Sequence, residues 1–183
     1  MPSTPGKCHI RLAEAPDWPE LERIFLAHEG VRIPAGYFTE FQDCLRNPET
    51  LYFIAIVDGR IVGGGGIADY VPETQATLAF GVVDPQECGK GYGTAILLAR
   101  LLFVESGAGG CRIFLSATFW SSPFFARIGF KWHGHEVDEK GNRFLHGSHV
   151  VYPGDELVFR KRLEDAGVTL GFVPDRAENL TES

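Results

Sequence analysis

Apolar and polar positions alternate along the chain with two different periods. Over residues 16–30, "PDWPELERIFLAHEG", the residues Leu21, Ile24, Phe25 and His28 recur at three- and four-residue steps and share one face, which predicts a helix. Asp17 stands at its N-cap, Glu20 three residues on completes a capping-box pattern, and Gly30 closes the end. "PAGYFTEFQDCLRN" predicts a second helix, with Phe38, Phe41 and Leu45 inward and Asn47-Pro48 as the stop. The period then shortens. Two β-rich runs in "LYFIAIVDGRIVGGGGIADY" flank Asp58-Gly59, the signal of a hairpin. The run Gly63 to Gly66 has two readings: a bulge or flexible strand end, or a backbone that some group approaches closely.

"ATLAFGVV" is apolar on both sides and predicts a central strand. "TAILLARLLFVES" carries few polar positions and predicts a heavily buried helix, with Gly107 beyond its end. "CRIFLSATF" reads as a further strand. "SSPFFARIGF" reads as a short helix, with Ser122 as N-cap, Pro123 at the first helical position and Gly129 at the stop. "KWHGHEV" and "ELVFRKRL" read as the last two strands, joined by an irregular stretch with a turn at Lys140-Gly141-Asn142. The order is helix, helix, hairpin, strand, helix, strand, helix, strand, strand. It implies an α/β protein of the mixed kind, with helices against the faces of one mixed sheet rather than an alternating βα series. The expected organisation is a tail over 1–7, one domain over 8–163, and a tail over 164–183 whose apolar "VTLGFV" has no assigned role.

Composition changes this picture little. The chain has 183 residues, 44% apolar and 22% charged, enough for one domain with its own core. No apolar run has the length of a membrane span and no signal peptide opens the sequence, so the expected address is the cytosol. The formal charge of −7 argues against a nucleic-acid surface and mildly favours small or cationic partners. Cys8, Cys44, Cys88 and Cys111 are scattered without a C-x-x-C pair and read as buried or idle thiols. A homodimer remains open.

The chemistry concentrates at "PQECGKGYGTA", Pro85 to Ala95, where Gly89, Gly91 and Gly93 alternate just before the buried helix. A P-loop is excluded, because Lys90 is followed by Gly91 and Tyr92 rather than by Ser or Thr. Strand, glycines and helix start together put the N–H groups of Cys88 through Thr94 at the positive end of a helix dipole, where an anion such as a pyrophosphate fits. A tight turn with no ligand is the competing reading.

"VVDPQECGKGYGTAILLARL" resembles the acyl-coenzyme A signature of the GNAT superfamily of N-acetyltransferases, with Gln86, Gly89 and Gly91 in the signature positions. "PFFARIGF" resembles the family's next motif, "FIAIVDGRIVGGG" its hairpin, and "ELVFRKRL" its final strand. The resemblance covers roughly residues 8–163. It implies a central, mostly antiparallel sheet that splays at the acyl-CoA site. It also implies acetyl-CoA as cosubstrate, with its pyrophosphate on the N–H groups of Gln86, Glu87, Cys88, Gly89, Lys90, Gly91, Tyr92, Gly93 and Thr94. The pantetheine arm would then lie along Val82 and Val83. Lys90 either reaches a phosphate or is a solvated surface lysine. The acceptor implied is a primary amine of a small molecule or a protein, with no nucleic acid, membrane or metal.

Amide formation needs a neutral amine, and at pH 7 an amine with pKa about 10.4 is neutral only in a few parts in ten thousand. A thiol with pKa about 8.5 leaves tolerably without a proton donor, so deprotonating the amine is the harder task. A backbone N–H near Val82 or Val83 would meet the developing oxyanion. The family's usual tyrosine acid falls at Phe125, which cannot donate. Ser121 or Ser122 could serve instead, although helix capping also explains Ser122; Tyr92 and Tyr152 are further hydroxyl candidates. Glu73, His28 and Glu29 are candidate bases, alongside a water chain.

Two other readings stay open. Phe125 keeps alive a non-catalytic acyl-CoA-binding sensor. His133, His135 and Glu139 form H-x-H-x-x-x-E, with His146 and His149 further on, a pattern a cupin-like metal enzyme would use, although Asp155-Glu156 stand where its second motif needs a histidine.

Overall fold

The computed structural model describes residues 7–172. Eight strands form one sheet: β1 (Cys8–Leu12), β2 (Leu51–Val57), β3 (Arg60–Val71), β4 (Gln75–Val83), β5 (Cys111–Ala117), β6 (Lys131–Val137), β7 (Arg143–Val151) and β8 (Val168–Leu170). Five helices accompany them: α1 (Trp18–Leu26), α2 (Phe38–Arg46), α3 (Tyr92–Phe103), α4 (Ser122–Ile128) and α5 (Asp155–Asp165). The strand order is β6-β7-β5-β4-β3-β2-β1-β8, antiparallel at every junction except β4–β5 and β1–β8. This is the mixed sheet that the element order implied, mostly antiparallel as the family resemblance implied. No helix among the described residues is long and apolar enough to cross a membrane.

α3 organises one face. Its residues Ala95 to Leu102 are all buried, packed with Phe53, Val62, Ile113 and Leu115 of the sheet. On the other face Leu21, Ile24 and Phe25 of α1 meet Phe41 and Leu45 of α2 over Tyr52, Ile54 and Val82. The rings of Phe25 and Phe41 stack there at 4.4 Å.

The hairpin turns at Asp58 and Gly59, both with positive φ, as an Asp-Gly two-residue loop requires. The glycine run beyond it lies wholly buried in β3 and combines parts of both sequence readings. Gly64 pairs with Val82 and Gly66 with Ala79, so Phe80 and Gly81 together oppose Gly65 in a bulge, with Phe80 at φ 38°. The groups approaching the glycines are the protein's own. A Cβ on Gly64 would stand 2.6 Å from the Tyr52 ring, and one on Gly65 would stand 2.7 Å from the Arg100 guanidinium carbon.

Several expectations are corrected. "CHIRL" forms β1, a strand the periodicity did not announce. "ELVFRKRL" is helical, not a strand: it belongs to α5, where Phe159 and Leu163 bury one face at a four-residue step and Lys161 pairs with Asp165. The strand opposite β5 is instead β7, the stretch read as irregular. Its His146, Gly147 and Ser148 weaken the apolar signal, yet it pairs with β5 along the whole of Cys111–Ala117. Beyond Leu163, in the segment given no role, α5 ends and β8 pairs with β1, while Phe172 packs on Phe53 and Phe103. Asp17 does not cap α1 with its side chain. Its carboxylate accepts from the Arg11 guanidinium at 2.7 and 2.9 Å and from the Glu14 amide, while Glu20 pairs with Arg23. The N-cap of α4 is Ser121 rather than Ser122, whose hydroxyl donates to the Phe119 carbonyl.

The helical register of α5 has a measurable consequence. Phe159→Ala should lower unfolding free energy by about 3–5 kcal/mol, whereas exposed Val158→Ala should change it by less than about 0.5 kcal/mol. Urea melts of the two variants check this, and equal costs would contradict the packing.

Candidate functional site

β4 and β5 pair only through Gln75–Arg112, Ala76–Ile113 and Thr77–Phe114, although β4 runs on to Val83 and β5 to Ala117. Past Thr77 the two strands part, and a cleft of about 1000 Å³ opens between them. Its floor includes Leu78, Gly81, Ile96 and Leu115, and it extends to Cys88, Gly89, Gly91, Gly93 and Thr94 of the glycine loop.

Asp84 fixes that loop. Its carboxylate accepts from the Gln86 amide at 3.0 Å, its carbonyl accepts from the Glu87 amide at 2.8 Å, and Arg23 holds its other oxygen. The Gln86 and Glu87 amides are therefore already used by the protein, which corrects the expectation that the anion-facing row starts at Gln86. Gly89 and Gly91 adopt φ of 80° and 91°, the left-handed region, while a Cβ at either would meet open space. Conformation, not crowding, demands glycine at these two positions. Gly91 is the N-cap of α3, and the helix's first backbone bond runs from Ala95 N–H to the Gly91 carbonyl. The amides of Tyr92, Gly93 and Thr94 precede that bond and lie at the positive end of the helix.

The side chains of the loop do less. Lys90 bonds Glu87 at 2.7 Å, and Glu87 also faces Arg60 at 3.7 Å. The Tyr92 ring is buried in the core on α3, and burial pushes its hydroxyl above the ordinary tyrosine value. It is no donor to the cleft. Cys88 is exposed, with Arg32 Nη1 at 3.3 Å from its Sγ.

Of the seven catalytic candidates, the fold brings Ser121 to the cleft and, with its ring anchored there, His28. It is 6% exposed, and its Nε2 lies 2.6 Å from the Val83 carbonyl. A carbonyl can only accept, so Nε2 carries the proton and a neutral ring has its lone pair on Nδ1. Val82 is buried in β4, and Phe125 forms part of the cleft wall, packed on Phe124 and Phe130 at 5.0 and 5.6 Å. The others lie elsewhere. Glu73 occupies the β3–β4 turn, at the far end of β4 from Val83, with its amide on the Glu105 carbonyl. Tyr152 is exposed in the β7–α5 loop, and Ser122 faces the Phe119 carbonyl; the neighbouring Ser121 lines the cleft instead. Glu29 accepts from the Gly36 and Tyr37 amides.

The histidine set does not assemble. A register shift at Trp132/Gly134 breaks the two-residue alternation, and His133 bonds the Ser148 hydroxyl at 2.6 Å. No group of three His, Cys, Asp or Glu among the described residues is placed to hold a metal ion.

Sequence reasoning missed other cleft residues. Arg32 lies over the Trp120 ring at 5.5 Å, and both line the cleft. Tyr37 packs edge-on against Phe144 at 5.7 Å, while Lys140 sits 4.0 Å from the Tyr37 ring centroid and donates to the Gly36 carbonyl. This group joins the α1–α2 loop to the β6–β7 hairpin. Arg100 is 3% exposed at the floor. Only Arg100 had a signal, as the one charge inside "AILLARLLF".

The sequence matches the family profile of the acetyltransferase (GNAT) family over residues 18–130. The chain belongs to that family. As a GNAT protein it is an acyltransferase, and solved structures share its fold at low identity. An aminoglycoside 6'-N-acetyltransferase complexed with coenzyme A is 14% identical, with a TM-score of 0.63 over 79% of this chain and 97% of that one. The ribosomal-protein-S18-alanine N-acetyltransferase from Escherichia coli is 17% identical, with a TM-score of 0.64 over 79% of this chain and 94% of that one. A spermidine N-acetyltransferase from Vibrio cholerae is 13% identical, with a TM-score of 0.58 over 85% of this GNAT chain and 98% of its own. No curated protein matches the sequence significantly.

Asp84 gives this GNAT loop a pH dependence. Partial burial opposes its ionisation, but the Arg23 guanidinium and the Gln86 amide outweigh that and hold its carboxyl below the usual value. A depressed carboxyl stabilises the fold above its unfolded pKa of about 3.9, and that contribution vanishes as pH falls through the folded value. Asp84→Asn should therefore cost about 1 kcal/mol at pH 7, with the difference closing below about pH 3. Parallel denaturant melts at the two pH values check it.

Proposed function

We propose that this GNAT protein transfers an acetyl group from acetyl-CoA to a primary amine of a small molecule or a protein. The observation that carries the reading is the parting of β4 from β5 beside a glycine loop that ends in the N-terminus of α3. Both parts fit the cosubstrate. The first-turn amides of α3, with the open space at Gly89 and Gly91, suit a diphosphate, and the edge of β4 that leaves β5 suits an amide-bearing arm lying alongside it. Acetyl-CoA supplies an activated acyl group and a thiolate that leaves without an obligatory proton donor.

The chain's residues supply position and proton transfer. Phe124 and Phe125 wall the cleft and exclude water without donating a proton. His28, tethered through Nε2 to the Val83 carbonyl, is the proton acceptor of this reading, taking the ammonium proton at Nδ1 through water. Relatives that share the fold are named for acceptors as different as an aminoglycoside, spermidine and a ribosomal-protein alanine, which supports an amine and leaves its carrier open.

Thiol release from acetyl-CoA against a panel of amines tests the activity. Turnover is expected with at least one acceptor; coenzyme A binding with no turnover across the panel would favour a sensor. Gly91→Glu should abolish coenzyme A binding by calorimetry through bulk, a strained φ and like charge, and unchanged affinity would contradict the cradle. His28→Gln retains an N–H for Val83 but has no titratable ring nitrogen. It should lower kcat/KM by about 100-fold near pH 7 and by less near pH 9, where the amine sheds its own proton. A flat pH effect would remove His28 from proton transfer.

A further inference from the structure

Arg100 projects from α3, two turns beyond the glycine loop, and lines the cleft. The fold makes room for it: a Cβ at Gly65 would stand 2.7 Å from its Cζ, and one at Gly81 would stand 3.3 Å from its Nη2. Two small residues on adjacent strands, one of them at the bulge of β4, thus frame the guanidinium. Yet the protein leaves it largely unsatisfied. Among the described residues its one hydrogen bond runs from Nη1 to the Gly66 carbonyl at 3.2 Å, and its buried Nε has no partner. No carboxylate pairs with it there. Leu78, Ile96 and Leu115 line the same cleft, and the nearby Tyr52 hydroxyl is spent on the Phe80 carbonyl. Burial pulls its pKa down to about 10, which still leaves the side chain cationic at neutral pH.

A buried cation with most of its donors unmet is destabilising unless an anion arrives to complete it. The planar fork of arginine matches a carboxylate best. We propose that Arg100 is the receptor for a carboxylate carried by one of the two substrates, either on the amine acceptor, as in an amino acid, or at the far end of a dicarboxylic acyl group. The inference rests on the acyl-CoA reading of the cleft and narrows its substrate class. In that apolar setting the carboxylate is held at a fixed distance from the open edge of β4, so the guanidinium selects the substrate and sets its depth.

The test compares wild type with Arg100→Met and Arg100→Lys, using pairs of substrates that differ only in the charge. Amino acids are set against their amides as acceptors, and succinyl-CoA against butyryl-CoA as donors, with products identified by mass. The carboxylate member of one pair should be preferred by wild type about 10- to 100-fold in kcat/KM, and the pair that responds identifies the source. The preference should collapse in Arg100→Met and survive in part in Arg100→Lys. In parallel, succinate and the preferred amino acid should raise the melting midpoint of wild type but not of Arg100→Met, a variant expected to fold because an apolar chain replaces an unpaired buried charge. If Arg100→Met fails to fold, Arg100→Lys carries the comparison. Equal rates within every pair together with no carboxylate-dependent rise in melting would overturn the proposal, as would a preference undiminished in Arg100→Met. Coenzyme A affinity is measured alongside: its absence in wild type would count against the acetyl-CoA reading, and the melting arm would still decide the role of the arginine.

Discussion

The separation of two parallel strands governs the rest of this molecule. β4 and β5 share a ladder for three residue pairs and then diverge, so the second half of β4 keeps a ladder only on its β3 side. Backbone groups left this way in the middle of a sheet must find other partners. One is met from within the chain, where the Val83 carbonyl accepts the His28 imidazole. The remainder of that edge faces the cleft. The bulge at Phe80 and Gly81 belongs to the same arrangement, since the added residue increases the local twist just where β4 leaves its neighbour.

α3 connects this opening to both ends of the site. Its first turn presents amides at the loop, its apolar body seals the sheet, and its single buried charge reaches the cleft floor. The glycines of β3 follow from the same helix. Gly63 lies where a Cβ would meet Ile96 and the Val82 carbonyl, and Gly65 where it would meet Arg100. Close approach of α3 to the sheet and room for a guanidinium are therefore one packing solution.

The wall of the cleft comes from parts far apart in sequence. The α1–α2 loop contributes Arg32 and Tyr37, the β5–α4 loop contributes Trp120, and the β6–β7 hairpin contributes Phe144, with Lys140 bridging to Glu40 and the Gly36 carbonyl. Arg32, Arg127, Glu136 and Asp138 all line the same cleft, so it carries charges of both signs beside its apolar residues. This division suits a reaction in which an anionic cosubstrate and a cationic amine approach separately and meet where water is scarce.

Local features were legible from the sequence alone. The α1, α2 and α3 faces, the Asp58-Gly59 hairpin, the stop at Gly129 and the glycine loop each depend on residues within a few positions of one another, and periodicity, capping and positive φ are written at that range. The strands β1, β7 and β8, toward the two edges of the sheet, were not legible. β1 and β8 pair with strands 40 residues or more away, β7 pairs with β5 across α4 and β6, and its His146, Gly147, Ser148 and His149 carry no apolar alternation. α5 was misread because Leu157 and Phe159 alternate over too few residues to separate the two periods. For the site, the sequence determined the glycine loop ahead of α3, because glycine conformation and a helix start are set by residues next to one another. Tertiary structure alone decided which side chains join it: it brought His28 to Val83, removed Glu73, Tyr152 and Ser122, and buried Arg100 without a counter-ion among the described residues. Proximity across the sheet is a property of strand order and of where two ladders stop pairing, and no local stretch of residues encodes either.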